Sequence, residues 1–191
     1  MLDKNVLGIV SIILTLVGYT PYFLTTLKGQ TKPHLFSWII WGLISAISYF
    51  AQDSDNAGPG AWASGVSATG CFVIAALAVR YGEKNIKRSD WFCLIATLAA
   101  IPLWAVTENA LWAVLLITVI DAGGYYPTFR KSWSNPREEN IIVYILDTIK
   151  YVFALFALSH YSVITTLSPL FIVLAEGSLV LLILWRRRTV P

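Results

Sequence analysis

Four ionisable side chains stand in otherwise apolar stretches of the chain: Asp121, Asp147, Lys150 and Glu176. An ionisable group near the middle of a membrane helix costs about 2.5–3.5 kcal/mol on insertion scales, so each needs a partner or a task. Asp147 and Lys150 are three residues apart, a spacing that lets them pair on one helix face. The same spacing leaves Asp147 free to face a cavity instead, and both alternatives stand at this stage. Asp121 and Glu176 have no oppositely charged neighbour in sequence. A carboxyl so placed could load and release a proton near neutral pH, which makes Asp121 the candidate for proton coupling and Glu176 a candidate for substrate binding.

Aromatic residues supply a second kind of chemistry. Trp38, Trp41 and Ser45 fall on one helix face at i, i+3 and i+7. A shift of 106 residues lays them over Tyr144, Asp147 and Tyr151. Two such faces could line a central cavity in which rings stack on a ligand and Asp147 hydrogen-bonds it. Sugars, nucleosides and cations over a ring face all suit it. The expected substrate-binding set is therefore Trp41, Ser45, Tyr144, Asp147, Tyr151 and Glu176. Tryptophans near helix ends also form interfacial belts. Trp38 fits belt and cavity equally, whereas Trp91, Trp104, Trp112 and Trp185, with Trp133 in a loop, read as belt.

The same shift of 106 places Gly18-Tyr19-Thr20-Pro21-Tyr22-Phe23 over Gly124-Tyr125-Tyr126-Pro127-Thr128-Phe129, with four identities in six. It also places Phe50-Ala51 over Phe156-Ala157. Proline removes a backbone donor and kinks a helix, and glycine adds freedom and permits close helix packing. Gly18, Tyr19 and Pro21, with Gly124, Tyr125 and Pro127, are the expected hinges or gates. The four charges all fall in the second copy, where the first has Thr15, Trp41, Ile44 and Gly70.

These residues need apolar elements to carry them. The chain is 57% hydrophobic and 13% charged, with a mean hydropathy of +0.65, against about 25% charged residues in a soluble domain. Apolar runs predict seven membrane helices over 6–27, 35–51, 60–79, 90–106, 110–129, 141–158 and 163–185. The first run is longer than a signal-peptide core and has no cleavage site, so it reads as a retained helix. Only Thr107, Glu108 and Asn109 separate the fourth and fifth spans, which predicts a tight antiparallel reversal. Twelve of the fourteen Lys and Arg residues follow the odd-numbered spans, and Lys4 alone lies on the other side. The positive-inside rule then sets the N-terminus outside and the C-terminus in the cytoplasm.

The result is an all-α membrane protein of one domain, residues 1–191, with two three-helix repeats joined by a linker helix (3+1+3). The first repeat covers about 5–81, the linker about 90–106 and the second repeat about 110–187. That layout, with a proline near the end of the first helix of each triplet and the stretch GYTPYFLTTLKGQTKPHLFSWIIWG, resembles the SWEET and PQ-loop transporter superfamily. Tyr22 and Thr128 stand where that family has glutamine. The resemblance implies a small-solute transporter working by alternating access, with one central site between the triplets. Asp121-Ala122-Gly123-Gly124 is similar, one residue out of register, to the acidic residue before Gly-Gly in family members that export amino acids from lysosomes. Vitamin carriers of the PnuC type, with a Trp-x-x-Trp pattern like Trp38 to Trp41, are the alternative.

Other classes fit less well. A retinal receptor would need a lysine in the last span, which has none before Arg186, leaving a non-retinal receptor or a membrane-complex subunit. Small-residue seams such as Gly58 to Gly70 would serve a larger complex or a homo-oligomer. The net charge of +3 is spread between apolar runs, so no nucleic-acid partner is expected. His34 and His160 sit at opposite span ends, and Cys71 and Cys93 lie in apolar segments as packing residues. No metal, cofactor or enzymatic activity is expected. The expected partners are a small-molecule solute and the lipid bilayer, and the expected location is a prokaryotic inner membrane.

Overall fold

The computed structural model describes residues 3–29, 33–82, 88–134, 136 and 141–189. Lys32, Lys84, Lys87 and Arg137 lie outside them, as do the side chains of Cys93, Pro127, Thr128, Arg130 and Lys131. Among the described residues the fold is all-helical. The α-helices are α1 (Lys4–Leu27), α2 (Leu35–Ser54), α3 (Trp62–Tyr81), α4 (Arg88–Leu98), α5 (Ala100–Thr107), α6 (Ala110–Ser134), α7 (Ile141–Ala157) and α8 (Val163–Thr189). A 3-10 turn, Gly58–Ala61, leads into α3.

The fourth expected span is two helices rather than one. Pro102 has no N–H for the Leu98 carbonyl, so the helix breaks at Ala99 and Pro102 sits in the first turn of α5. Pro21, Pro127 and Pro169 interrupt nothing, because α1, α6 and α8 run through them. The expected reversal at 107–109 is present. Glu108 closes α5 in the left-handed region (φ 50°), and the Asn109 side chain accepts from the Leu111 N–H at 2.9 Å to cap α6.

Four stretches, Lys4–Leu27, Leu35–Ser54, Gly58–Tyr81 and Val163–Thr189, are long and apolar enough to cross a membrane. The side-chain distribution suits hydrocarbon surroundings. Val79, Phe92, Ile95, Val106, Val119 and Leu181 are exposed, while Ser11, Gln52, Ser64, Ser67, Thr165 and Ser168 are buried. In water such an apolar surface would drive association.

Helix α3 packs against both α1 and α2, and α8 packs against both α7 and α6. Between these groups α1 meets α7 and α2 meets α6, while α5 lies on α6 and α4 on α2. Small residues on α3 (Ser64, Ser67, Ala68, Cys71, Ala75, Ala78) permit its close approach. Trp38, Tyr19 and Tyr22 fill the space against Cys71, Ile74 and Ala75. Burial repeats at the 106-residue shift. Ile44, Ser48, Ala51 and Gln52 on α2 are buried, and so are Lys150, Ala154, Ala157 and Leu158 on and just after α7. Leu7 and Ser11 on α1 match Ala113 and Ile117 on α6 in the same way.

Several expectations change. Trp104 is half-buried against the cluster of Ile44, Ile47 and Ala113. Trp133 belongs to α6 rather than a loop. Trp38 is buried, in a T-shaped contact with Trp41 at 5.4 Å. Gly18 and Gly124 do not serve close packing, because a Cβ at either would meet nothing within 4 Å.

Candidate functional site

Helices α1, α2, α6 and α7 change character at one level. Each has a face that is buried towards one end and open two turns along. Ser11 is buried and Gly18 open on α1; Ile117 is buried and Gly124 open on α6. On α2, Ser48 is buried and Trp41 is 46% exposed. On α7, Ala154 is buried and the Asp147 side chain is 31% exposed. All four transitions fall at positions that match under the 106-residue shift.

The buried end carries contacts between the two copies. A Cβ on Gly60 would lie 2.4 Å from Leu158 Cδ2 and 2.8 Å from the Ala154 carbonyl oxygen, so only glycine allows this approach. Gly58, at φ +62°, takes a left-handed turn beneath Ser159, where a Cβ would strike Ser159 Oγ. The Ser159 N–H donates to the Ala57 carbonyl at 2.8 Å. The Ser162 hydroxyl donates to Asp55 Oδ2 in a short hydrogen bond. His160 Nδ1 lies 3.0 Å from the Asp55 carbonyl oxygen and 3.5 Å from its carboxylate. Other contacts lie within one copy. Gly82 packs against the Pro33 backbone, and Arg186 Nε donates to the Trp133 carbonyl at 2.8 Å.

Next to these positions lies the charged cluster. Lys150, 1% exposed, donates to Asp147 Oδ1 at 2.8 Å and to Ser67 Oγ of α3 at 3.3 Å. Its ammonium lies 4.4 Å from the Tyr151 ring centre and 5.9 Å from that of Tyr19. Of the two alternatives for Asp147 the pairing with Lys150 is present, and its side chain keeps an exposed edge. Glu176, unpaired in the sequence reading, accepts from the Tyr125 hydroxyl at 2.8 Å through Oε1. Its Oε2 is buried without a partner. Asp121, one turn before Tyr125, is half-buried and within electrostatic reach of Asp147 and Glu176.

The two copies repeat one contact with different chemistry. Tyr19 lays its ring on Gly70, whose Cβ would fall 2.5 Å from Tyr19 Cδ2. At the shifted positions Tyr125 meets Glu176. The Tyr19 hydroxyl instead lies 3.4 Å from Cys71 Sγ.

Of the residues expected to act together, Tyr19, Asp147, Lys150 and Tyr151 form one cluster, and Asp121, Tyr125 and Glu176 adjoin it. Trp41 connects to Tyr19 through Trp38, whose ring centre is 6.1 Å from that of Tyr19. Tyr151 is buried among Ala63, Ala154 and Ile172, where it holds Lys150. Tyr144 is half-buried, and Ser45 is half-buried with no hydrogen bond to the cluster. Pro21 is exposed on α1. Sequence reasoning missed Ser67, whose hydroxyl in the middle of an apolar run was the available signal. It also missed the Asp55–Ser162 closure. Among the described residues no group of three His, Cys, Asp or Glu side chains converges as a metal site would.

Comparison with protein-family models, with characterised proteins and with solved structures finds no match.

Proposed function

We propose that this chain is a small-solute carrier of the SWEET and PQ-loop type, built as 3+1+3 helices and working by alternating access. The observation that carries the reading is the matched opening of α1, α2, α6 and α7 at Gly18, Trp41, Gly124 and Asp147. A cleft bounded by two equivalent helix pairs, shut at one end and open at the other, is what a rocking carrier requires in one of its states. The recurrence of packing, α3 on α1 and α2 and α8 on α6 and α7, supports two equivalent halves. With the basic residues cytoplasmic, the open end faces the cytoplasm of a prokaryotic cell and the Asp55–Ser162 contact is the outer gate.

The cleft offers a solute a half-exposed tryptophan ring on one side and carboxyl groups on the other. That suits a small polar molecule with a flat face and hydrogen-bond donors. The exposure of Trp41 beside Trp38 favours, as a second reading, a nucleoside or vitamin carrier of the PnuC type.

The test is uptake into proteoliposomes across labelled sugars, amino acids, nucleosides and vitamins, with and without an inside-alkaline gradient. Saturable uptake competed by one class of solute is the expected result. Gradient dependence lost in Asp121→Asn would assign the coupling group. Folded protein that moves nothing across the panel would refute the carrier reading and favour a receptor or complex subunit.

A further inference from the structure

The second half of the molecule gathers three acids, Asp121, Asp147 and Glu176, around one buried cation. Among the described residues Lys150 is the single buried Lys or Arg, and its hydrogen bonds go to Asp147 and Ser67. Asp121 and Glu176 remain. Their situations differ, because Asp121 is half-buried beside the cleft whereas Glu176 is 6% exposed. An ionised carboxylate offers about four acceptor sites. Glu176 uses Oε1 for the Tyr125 hydroxyl and leaves Oε2 buried with nothing to accept from. A buried charge with half its acceptor surface unmet is far costlier than a neutral group in the same place.

A bound metal ion would meet that oxygen, but the described acids do not converge as a metal site needs. A proton requires no such cage. The groups facing Glu176 from its neighbours are Asp121 and Tyr125 on α6 and Asp147, Lys150 and Tyr151 on α7. None of these donates to Oε2. At the equivalent place in the first half, Gly70 leaves room that the Tyr19 ring fills. The second half keeps a carboxyl there instead of a packed ring.

The geometry points to Glu176 as the group on which the carrier holds its coupling proton in the state described here, with Asp121 as the entry group on the exposed side. This deepens the carrier reading and rests on it. The proton passes from cleft water to the Asp121 carboxylate. It then moves to Glu176, which becomes a neutral acid as Asp121 is ionised again, so charge is conserved at each step. Tyr125, one turn from Asp121, positions the accepting carboxyl through its bond to Oε1.

Infrared difference spectroscopy of the full-length protein in lipid, read at the carboxyl C=O stretch during a pH step, tests this without a substrate. The expected result is two titrating carboxyl bands, one lost in Glu176→Gln and a different one lost in Asp121→Asn. Tyr125→Phe is expected to shift the frequency of the Glu176 band without removing it, which keeps the test open should Glu176→Gln not fold. A spectrum unchanged by Glu176→Gln, or a Glu176 band that sodium abolishes at fixed pH, would overturn the proposal. Uptake measured in parallel separates the two failures. Wild type that transports nothing defeats the carrier reading whatever the bands do. Gradient-driven uptake that persists in Glu176→Gln defeats the proton site and leaves the carrier standing.

Discussion

The Asp147–Lys150 pair predicts an asymmetry between its two single substitutions. Asp147→Asn leaves the Lys150 ammonium, 1% exposed, with Ser67 and two aromatic rings but no hydrogen-bonded counter-charge. Removing one member of a buried pair costs about 3–5 kcal/mol, and the Tyr151 ring at 4.4 Å offsets part of that. A net loss of about 3 kcal/mol follows. Lys150→Met strands Asp147 instead, but its side chain is 31% exposed and can turn to cleft water, while the methionine fills apolar space. Its cost falls to about 1 kcal/mol, the scale of a lost hydrogen bond. For a chain of this size 1 kcal/mol moves the melting temperature by about 2–4 °C, so thermal unfolding in detergent should show a drop of about 6–12 °C for Asp147→Asn. Lys150→Met should lose less than half as much, and the double variant should melt near Lys150→Met. Equal losses in the two single variants would refute the assignment of Asp147 to an open cleft. Additive losses in the double variant would refute the pairing itself.

Gly70→Ala should destabilise by about 1–3 kcal/mol, because its new carbon meets the Tyr19 ring at 2.5 Å. Gly18→Ala and Gly124→Ala should melt at or above wild type, since nothing lies within 4 Å and alanine favours helix; thermal melts of all three decide it. Gly60→Val should prise the closed end apart. In a background without Cys71 and Cys93, Ser48→Cys should then react faster with an impermeant thiol reagent added from the side of the Asp55–Ser162 contact, and an unchanged rate would contradict the gate. A reporter fused after Pro191 should be active only as a cytoplasmic fusion, and alkaline phosphatase activity there would invert the orientation.

Much of this was legible before any coordinates. The long apolar runs predicted α1, α2, α3, α6, α7 and α8 to within a few residues at most ends, because hydrocarbon surroundings demand continuous helices. The 106-residue shift is visible in the sequence, and burial recurs at it in both halves. Local patterns could not decide contacts made across the molecule. Trp38 and Trp41 look alike in sequence, and only the approach of Tyr19 and Cys71 buries the first. The glycines misled for the same reason: Gly18 and Gly70 are each one residue type, but one faces open space and the other a tyrosine ring. Pro102 carried a readable signal, since a proline four residues after Leu98 removes that carbonyl's partner. The Asp55–Ser162 bond joins residues 107 apart in sequence, with nothing local to announce it.

Clamping two halves at one end also sets a mechanical advantage. From Ala51 near the closed end to Leu35 at the open one, α2 spans sixteen residues, an arm of about 24 Å. A tilt of about 10° about the clamp swings the far tip by about 4 Å along such an arm. The short side of that lever is the Gly58–Gly60 contact, where displacements are fractions of an ångström. A small change of tilt at that contact would therefore become a wide excursion at the far end of α2, so the stiffness of the Gly58–Gly60 contact would set the spacing there.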